Sequence, residues 1–254
     1  MPGSISTEAV VLGSRKLREA DRIVTLFTFD LGKAPVVVKG VRKVTSRFGG
    51  RLEPFTQLEV RLHRGRSLHT LTGADTIRTR AAARSCPAAL RAGLSFINLL
   101  GRETNELERR PRTFNLVARF LDVLDALAKS DVEDEYYVRL ALAADLKLLL
   151  LAGYLPSLIS CAGCGAEEEL ASFSARAGGA VCSGCAGEDS FPISAAALEE
   201  MRNTLEYPLS ETRAAPQEAA AREIWRAVRE ICRYHLGIDL KVPPWWSEPA
   251  RRPG

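Results

Sequence analysis

Hydrophobic and polar positions alternate in short segments over the first part of the chain, a pattern typical of β-strands. The clearest example is QLEVRLHR, where Leu58, Val60 and Leu62 share one face with the period of two that a half-buried strand shows. Five strands are predicted, over residues 7–12, 23–29, 34–38, 57–64 and from 68 to 72 or a little beyond. The polar residues 14–21 are expected to form a turn. Five short strands with one long loop favour a small barrel of the OB type, a fold that binds oligonucleotides.

From Pro87 onward the apolar residues recur every three or four positions, which predicts helices. Helices are predicted over residues 88–103, 113–128, 135–152, 194–205 and 217–236. The third is apolar on nearly every side, so we expect it at the centre of a helical bundle. The predicted fold class is therefore α+β, with helices on both sides of an insert packing into one body.

Domain boundaries follow from these changes of pattern. The expected divisions are 1–82 for the barrel, 83–158 and 192–242 for the two parts of the helical domain, 159–191 for the insert and 243–254 for a tail. The tail contains Pro243-Pro244-Trp245-Trp246, expected to pack on the body or to contact a partner or DNA. The beginning of the chain has no signal-peptide pattern and no long apolar run is present, so we expect a cytoplasmic protein.

The insert carries four cysteines in two closely spaced pairs, Cys161 with Cys164 and Cys182 with Cys185. Two such pairs supply the four thiolates of a closed tetrahedral site, which predicts a structural Zn²⁺. Two disulfides are an alternative that a reducing cytoplasm disfavours. An iron centre of the rubredoxin kind uses similar spacing and also stays open.

Basic residues concentrate in the part of the chain that precedes Cys86. The net charge is +9 over residues 1–85 and +4 over the whole chain. Between Leu31 and Leu52 there are six cations and no carboxylate. This asymmetry indicates a polyanionic partner, although a solvated basic face is the alternative interpretation. Phe48, beside Arg47, could stack on a base of single-stranded nucleic acid, or it could fold back onto the barrel core.

No catalytic constellation is evident. The sequence contains neither a phosphate-binding G-x-x-x-x-G-K-[ST] loop nor a G-x-G-x-x-G motif. Four cysteines would leave a metal no open position for water, and the H-x-E signature of zinc deaminases is absent. We expect His235 to cap or pack, and Cys86 and Cys232 to be buried thiols. A binding protein is favoured over an enzyme, and no catalytic residue is predicted.

Three segments resemble the RecO family of bacterial recombination mediators. KGVRKVTSRFGGRLEPF, residues 39–55, resembles the basic stretch that follows the third strand in that family. CAGC and FSARAGGAVCSGC, residues 161–164 and 173–185, are similar to its zinc module, and RYHLG, residues 233–237, resembles its closing helix. The Pro- and Trp-rich tail has no counterpart that we identify.

The resemblance implies an OB-fold domain, a helical domain and a zinc-ribbon-like insert. It also implies binding to single- and double-stranded DNA, annealing of complementary strands and assistance to RecA loading, with RecR and the acidic C-terminal tail of the single-strand-binding protein as partners. Carried over from the family, the DNA contacts are Lys39, Arg42, Lys43 and Arg47. Charge and loop position add Lys33, Arg51, Arg64 and Arg66 to the expected DNA-binding residues, and Phe48 joins them by its ring.

Two other functions stay open on the sequence alone. A basic OB barrel with a zinc ribbon also suits an RNA-binding or transcription factor, which competition between single-stranded DNA and RNA would distinguish. A metal-dependent nuclease would lose activity on chelation, whereas a structural zinc predicts a loss of stability instead.

Overall fold

A computed structural model of the chain describes residues 3–41, 48, 50–65, 68–211 and 218–240. These residues fold into two compact units. The first comprises residues 3–152 with 207–211, and the second comprises residues 153–206 with 218–240. The expectation of a mixed α+β chain is confirmed.

The first unit begins with five strands that close into a barrel. They are β1 (Ser4–Lys16), β2 (Arg22–Thr28), β3 (Gly32–Val38), β4 (Gln57–His63) and β5 (His69–Arg78). Their order around the barrel is β1-β2-β3-β5-β4, and every pairing is antiparallel except that of β3 with β5. The inward positions are mainly valine, leucine and alanine, among them Val24, Val36, Leu58 and Leu62, all fully buried. These residues are the apolar members of the alternating pattern.

The first strand is longer than the sequence predicts. Residues 14–16, expected to begin a turn, continue β1 and pair with β2 through Ser14↔Val24, Arg15↔Ile23 and Lys16↔Arg22. All three side chains of this extension are exposed, so no alternation of burial marks it in the sequence. Backbone pairing with β2 extends the strand beyond the end of its hydrophobic pattern.

Four helices complete most of the first unit. They are α1 (Ala81–Ser85), α2 (Pro87–Glu103), α3 (Pro111–Leu127) and α4 (Asp134–Leu151), and a 3-10 turn at Leu209–Glu211 follows later in the chain. Proline opens α2 and α3, where its missing N–H costs no helical hydrogen bond. Helix α4 packs against both α2 and α3, which explains its apolar surface on nearly all sides. The short α1 is absent from the sequence prediction because five residues are too few to show a helical period.

The second unit contains the four paired cysteines. Its sheet has the order β7-β6-β8, with β6 at Leu170–Ser174, β7 at Gly179–Cys182 and β8 at Phe191–Pro192. Helices α5 (Ala195–Glu206) and α6 (Glu218–Leu236) follow and pack on each other. Ser194 caps α5, and both its N–H and its hydroxyl donate to Glu223 of α6 at 2.7 Å.

This grouping differs from the single helical body that the sequence suggests. Helix α6 packs against β6, and the Arg226 guanidinium lies 4.2 Å from the ring centroid of Phe191 in β8. The structure therefore places α5 and α6 with the cysteine-bearing sheet. No helix among the described residues is both long and apolar enough to cross a membrane.

Candidate metal centre and nucleic-acid interface

The four cysteines of the two spaced pairs converge on one point in the second unit. The Sγ atoms of Cys161, Cys164, Cys182 and Cys185 all lie within 4.8 Å of one another. Cys164 Sγ and Cys182 Sγ are 3.8 Å apart. Four Zn–S bonds of about 2.3 Å in a tetrahedron place the sulfurs roughly 3.8 Å apart. All four thiols are free, so the structure contains neither of the two alternative disulfides.

Backbone N–H groups surround the most buried of these sulfurs. Cys161 Sγ accepts hydrogen bonds from the N–H groups of Gly163 and Cys182, each at 3.4 Å. The N–H groups of Cys182, Cys164 and Gly163 lower the pKa of Cys161 to about 6. The three neighbouring sulfurs raise the pKa of Cys185 to about 12. Four sulfurs this close together cannot all ionise without a positive charge among them, and a bound cation would supply that charge.

Gly163 allows the two cysteine pairs to approach each other closely. A Cβ on Gly163 would lie 3.0 Å from Cys185 Sγ and 3.1 Å from its Cβ. The donor set, its spacing and this close approach fit Zn²⁺, which Cys161, Cys164, Cys182 and Cys185 would hold. With four protein ligands the ion would stabilise the fold and have no position left for a reacting water.

Three basic residues occupy neighbouring strand ends at one end of the barrel in the first unit. Lys16 at the end of β1 is paired with Arg22 at the start of β2, and Arg22 is paired with Val38, the residue before Lys39. Adjacent strands are about 4.8 Å apart, so the three positions span roughly 10 Å. Among the described residues none of the three forms an ion pair. Arg22 Nη1 donates only a long hydrogen bond, 3.4 Å, to Ser14 Oγ.

A groove on the barrel surface includes one of these cations, Arg22. It has a volume of about 190 Å³, and Ser14 and Arg22 lie on it. Its other lining residues are Val24, Val41, Phe48, Gly50, Leu52 and Glu53. The groove therefore combines an apolar surface with the guanidinium of Arg22 and, from Glu53, a carboxylate that can accept a hydrogen bond from a base. That combination suits a base with its phosphate.

A second, larger cleft lies among the helices of the first unit. It has a volume of about 680 Å³, and its lining residues are Glu108, Arg110, Pro111, Arg112, Thr113, Leu150, Leu151 and Ala152. Helix α3 begins here at Pro111, so its first N–H groups, which have no partner within the helix, lie beside the cleft. Arg112 is exposed and forms no ion pair within the described part of the chain. The cleft thus offers apolar surface, an arginine and a helix N-terminus, each of which suits part of an acidic, partly apolar peptide.

Comparison with known proteins assigns the chain to a family. It matches the model described as Recombination protein O N terminal over residues 1–80 and the one described as Recombination protein O C terminal over residues 84–244. The chain belongs to the RecO family. Proteins named DNA repair protein RecO are similar to it in Rubrobacter xylanophilus, at 35% identity over 91% of this chain and 90% of the relative, and in Geobacter sulfurreducens, at 36% over 79% and 80%. The relative in Nocardioides sp. is 36% identical over 92% of this chain and 95% of its own length.

The DNA-binding residues predicted from the sequence of this RecO-family chain fall into different surroundings. Lys39 is exposed and is one of the three clustered cations, and Arg64 is exposed just after the end of β4. Arg51 is exposed and donates from Nη1 to the carbonyl of Ala74 at 3.2 Å. Arg42, Lys43, Arg47 and Arg66 lie outside the described residues, as does the tail from Pro243 to Trp246.

Two of the predicted residues are engaged by the protein itself. The Lys33 ammonium donates to the carbonyls of Gly101 and Thr104, both at 2.5 Å, at the end of α2. Phe48 is only 5% exposed and belongs to the barrel core, which is the alternative that the sequence left open. Lys33 is therefore not part of the proposed DNA surface, and Phe48 contributes to it only as a largely buried lining residue of the groove beside Arg22.

Sequence reasoning missed Lys16 and Arg22. Both lie in or beside the segment predicted as a polar turn. A charged residue in a predicted turn gives no indication of which other residues lie near it in the fold. Their proximity to Lys39 depends on the register of three strands. An extension of the strand pattern to residue 16, followed by a tight turn, would have placed Lys16 opposite Arg22.

Proposed function

We propose that this protein is a recombination mediator that binds DNA and acts in recombinational DNA repair. The observation that carries the proposal is the cluster of Lys16, Arg22 and Lys39 at one end of a barrel, which we assign to the OB type. Membership of the RecO family supports the role, since the relatives are named DNA repair proteins. The basic segment that begins at Lys39 would continue this surface through Arg42, Lys43 and Arg47, with Arg51, Arg64 and Arg66 as further contacts.

The proposed mechanism is electrostatic and involves no covalent step. Cations that contact phosphates release condensed counterions, so binding to single- and double-stranded DNA has little sequence preference. Two strands held on one basic surface repel each other less, which lets complementary sequences pair. The groove beside Arg22, with a volume of about 190 Å³, has room for an unstacked base, which favours the single strand.

The four-cysteine site would hold a structural Zn²⁺ in this proposal. The ion, when bound, would link the cysteine pair that precedes β6, Cys161 and Cys164, to the pair at the end of β7, Cys182 and Cys185. It would thereby stabilise the sheet on which α6 packs. Metal binding of this kind contributes directly to folding stability. The alternative iron centre would differ by its visible absorption.

We further propose two protein partners and an indirect role for a third. The cleft between the start of α3 and the end of α4 suits the acidic C-terminal tail of a single-strand-binding protein, because Arg112 and the helix N-terminus attract its carboxylates and Leu150 and Leu151 its apolar side chains. RecR is the other partner, and RecA loading onto the coated strand would follow from both contacts. The setting for this activity is the cytoplasm, in association with the nucleoid.

A strand-annealing assay tests the proposed function. Wild-type protein is expected to speed the pairing of two complementary labelled oligonucleotides, without hydrolysis of nucleotide or DNA. A variant with Lys16, Arg22 and Lys39 all changed to alanine is expected to lose most of this acceleration. Tighter binding of RNA than of DNA of the same sequence would favour the RNA-binding alternative, and turnover of a nucleotide or cutting of DNA would refute the mediator mechanism.

A further inference from the structure

Three aromatic rings form an exposed cluster on the second unit, far in sequence from the barrel. The His235 ring lies 5.3 Å from that of Tyr154, with an interplanar angle of 31°. Tyr234 meets the His235 ring edge-on, with centroids 4.9 Å apart and planes at 87°. The three rings are thus fixed against one another. Tyr234 is still 55% exposed, an unusual position for so large an aromatic side chain.

A hydrogen bond anchors this cluster to the cysteine-bearing sheet. His235 Nε2 donates to the carbonyl of Ala175 at 3.1 Å, just after β6 ends. The His235 ring is therefore a fixed support for the two tyrosines. A rigid ring loses little conformational entropy when a ligand stacks on it.

An arginine stands next to the anchor point. Arg176 directly follows Ala175, is exposed, and forms no ion pair in the part of the chain that the structure describes. An exposed ring on α6 and an available guanidinium on the segment to which α6 is anchored match the pairing that single-stranded nucleic acids use, in which bases stack and phosphates are neutralised. A purely apolar partner would gain nothing from this cation.

We propose that Tyr234, supported by His235 and Tyr154, stacks on a base of single-stranded DNA while Arg176 contacts a phosphate. This second contact rests on the proposed DNA-binding function and extends it to the second unit. Through it a strand is held by its bases as well as by its backbone. Base–aromatic stacking contributes about 1–3 kcal/mol per base, which corresponds to roughly fivefold or more in affinity.

The test compares labelled oligothymidine with an abasic strand of the same length, which keeps the phosphates and lacks the bases. Full-length, zinc-loaded wild type is expected to prefer the base-bearing strand, and Tyr234→Ala is expected to reduce that preference roughly fivefold or more. Tyr234→Phe keeps the ring and should keep the preference. Tyr207→Ala removes a similarly exposed tyrosine of the other unit, 49% against 55%, and should change nothing. Zinc content and thermal unfolding show that each variant is folded.

The outcomes separate this inference from the function on which it rests. A Tyr234→Ala protein that distinguishes the two strands as wild type does overturns the stacking contact. If Tyr234→Ala binds both strands as wild type does but no longer binds a protein partner, the stacking contact is also overturned, and the cluster is a protein-docking surface. Wild type that binds no DNA at all refutes the proposed function and the inference together.

Discussion

At the scale of single residues, buried charge joins the barrel to the helices of the first unit. Arg80 adopts a left-handed conformation, with φ of 50°, and its side chain is 2% exposed. It donates to the carboxylate of Asp122 in α3 and to the carbonyl of Phe55 and the side chain of Gln57. Burial lowers its pKa, and Asp122 counteracts this effect. An arginine with all these partners is a structural element and is unavailable to DNA.

The sequence does not reveal which cations of the basic segment form hydrogen bonds within the protein. Lys33 and Lys39 occupy one basic segment, yet the ammonium of Lys33 is taken by two carbonyls at the end of α2 and Lys39 is exposed. Charge patterning predicts that a surface is basic. It does not predict which of its cations the protein itself uses, because that depends on contacts between residues far apart in sequence.

The metal centre makes a residue-scale prediction at Gly163. Gly163→Ala would place a methyl group 3.0 Å from Cys185 Sγ, so it should displace that ligand and weaken zinc retention by about tenfold or more. Gly184→Ala is the matched control, because a Cβ there meets nothing within 4 Å. Competition with a chromophoric chelator measures the affinity of each variant. Equal zinc affinity in the two variants would show that the site is not built around this close approach.

At the scale of elements, periodicity predicts the long helices and most of the strands, and it fails where burial does not alternate. Helix α4 is predicted over residues 135–152 and observed at Asp134–Leu151. The two ranges agree closely because the apolar residues of this helix are nearly continuous. The three-strand sheet at the cysteines is not predicted from the sequence. Strand β8 has only two residues, and the start of β7 depends on a close approach between two backbone segments at Gly179. A Cβ on Gly179 would lie 2.2 Å from the carbonyl oxygen of Ser157.

Helix α4 also contains an acidic residue in a place that penalises its charge. Asp145 is buried, and its Oδ1 has no hydrogen-bond partner among the described residues. Burial raises the pKa of Asp145 to about 8. In the unfolded chain an aspartate titrates near its ordinary pKa of about 3.9. Between these values the folded state binds a proton that the unfolded state lacks, so stability falls as the pH rises.

Asp145→Asn should remove that dependence. We expect the variant to gain free energy of unfolding relative to wild type as the pH rises from about 5 to about 8, because it has no carboxyl group to ionise. Asp131→Asn, at an exposed position just before α4, is the control and should follow wild type. Chemical denaturation at several pH values gives the comparison. A constant difference between Asp145→Asn and wild type would mean that Asp145 titrates normally in the folded state.

At the scale of the whole molecule, the sequence shows that charge is unevenly distributed along the chain. It does not show which surface the charged residues form in the fold. The first 85 residues carry a net charge of +9 against +4 for the chain, which predicts a polyanion-binding end. The positions at which this charge is concentrated follow from the barrel register, which puts Lys16, Arg22 and Lys39 at the same end of the barrel. The division into two units was also beyond the sequence, because helical periodicity does not specify which elements a helix packs against.

DNA is expected to bind at the barrel end that carries these three cations. A salt titration of binding to a labelled single-stranded oligonucleotide reports on that contact. The comparison is between wild type, the Lys16→Ala, Arg22→Ala, Lys39→Ala triple variant and a control of equal charge loss, Lys129→Ala, Arg222→Ala, Arg229→Ala. The control cations are already paired with carboxylates.

For single strands the slope of log affinity against log salt is about −0.7 for each phosphate neutralised. We predict that the slope becomes shallower by about 2 in the barrel variant and keeps the wild-type value in the control. An unchanged slope in the barrel variant would contradict DNA binding at this end, because the phosphates would then be neutralised elsewhere on the molecule.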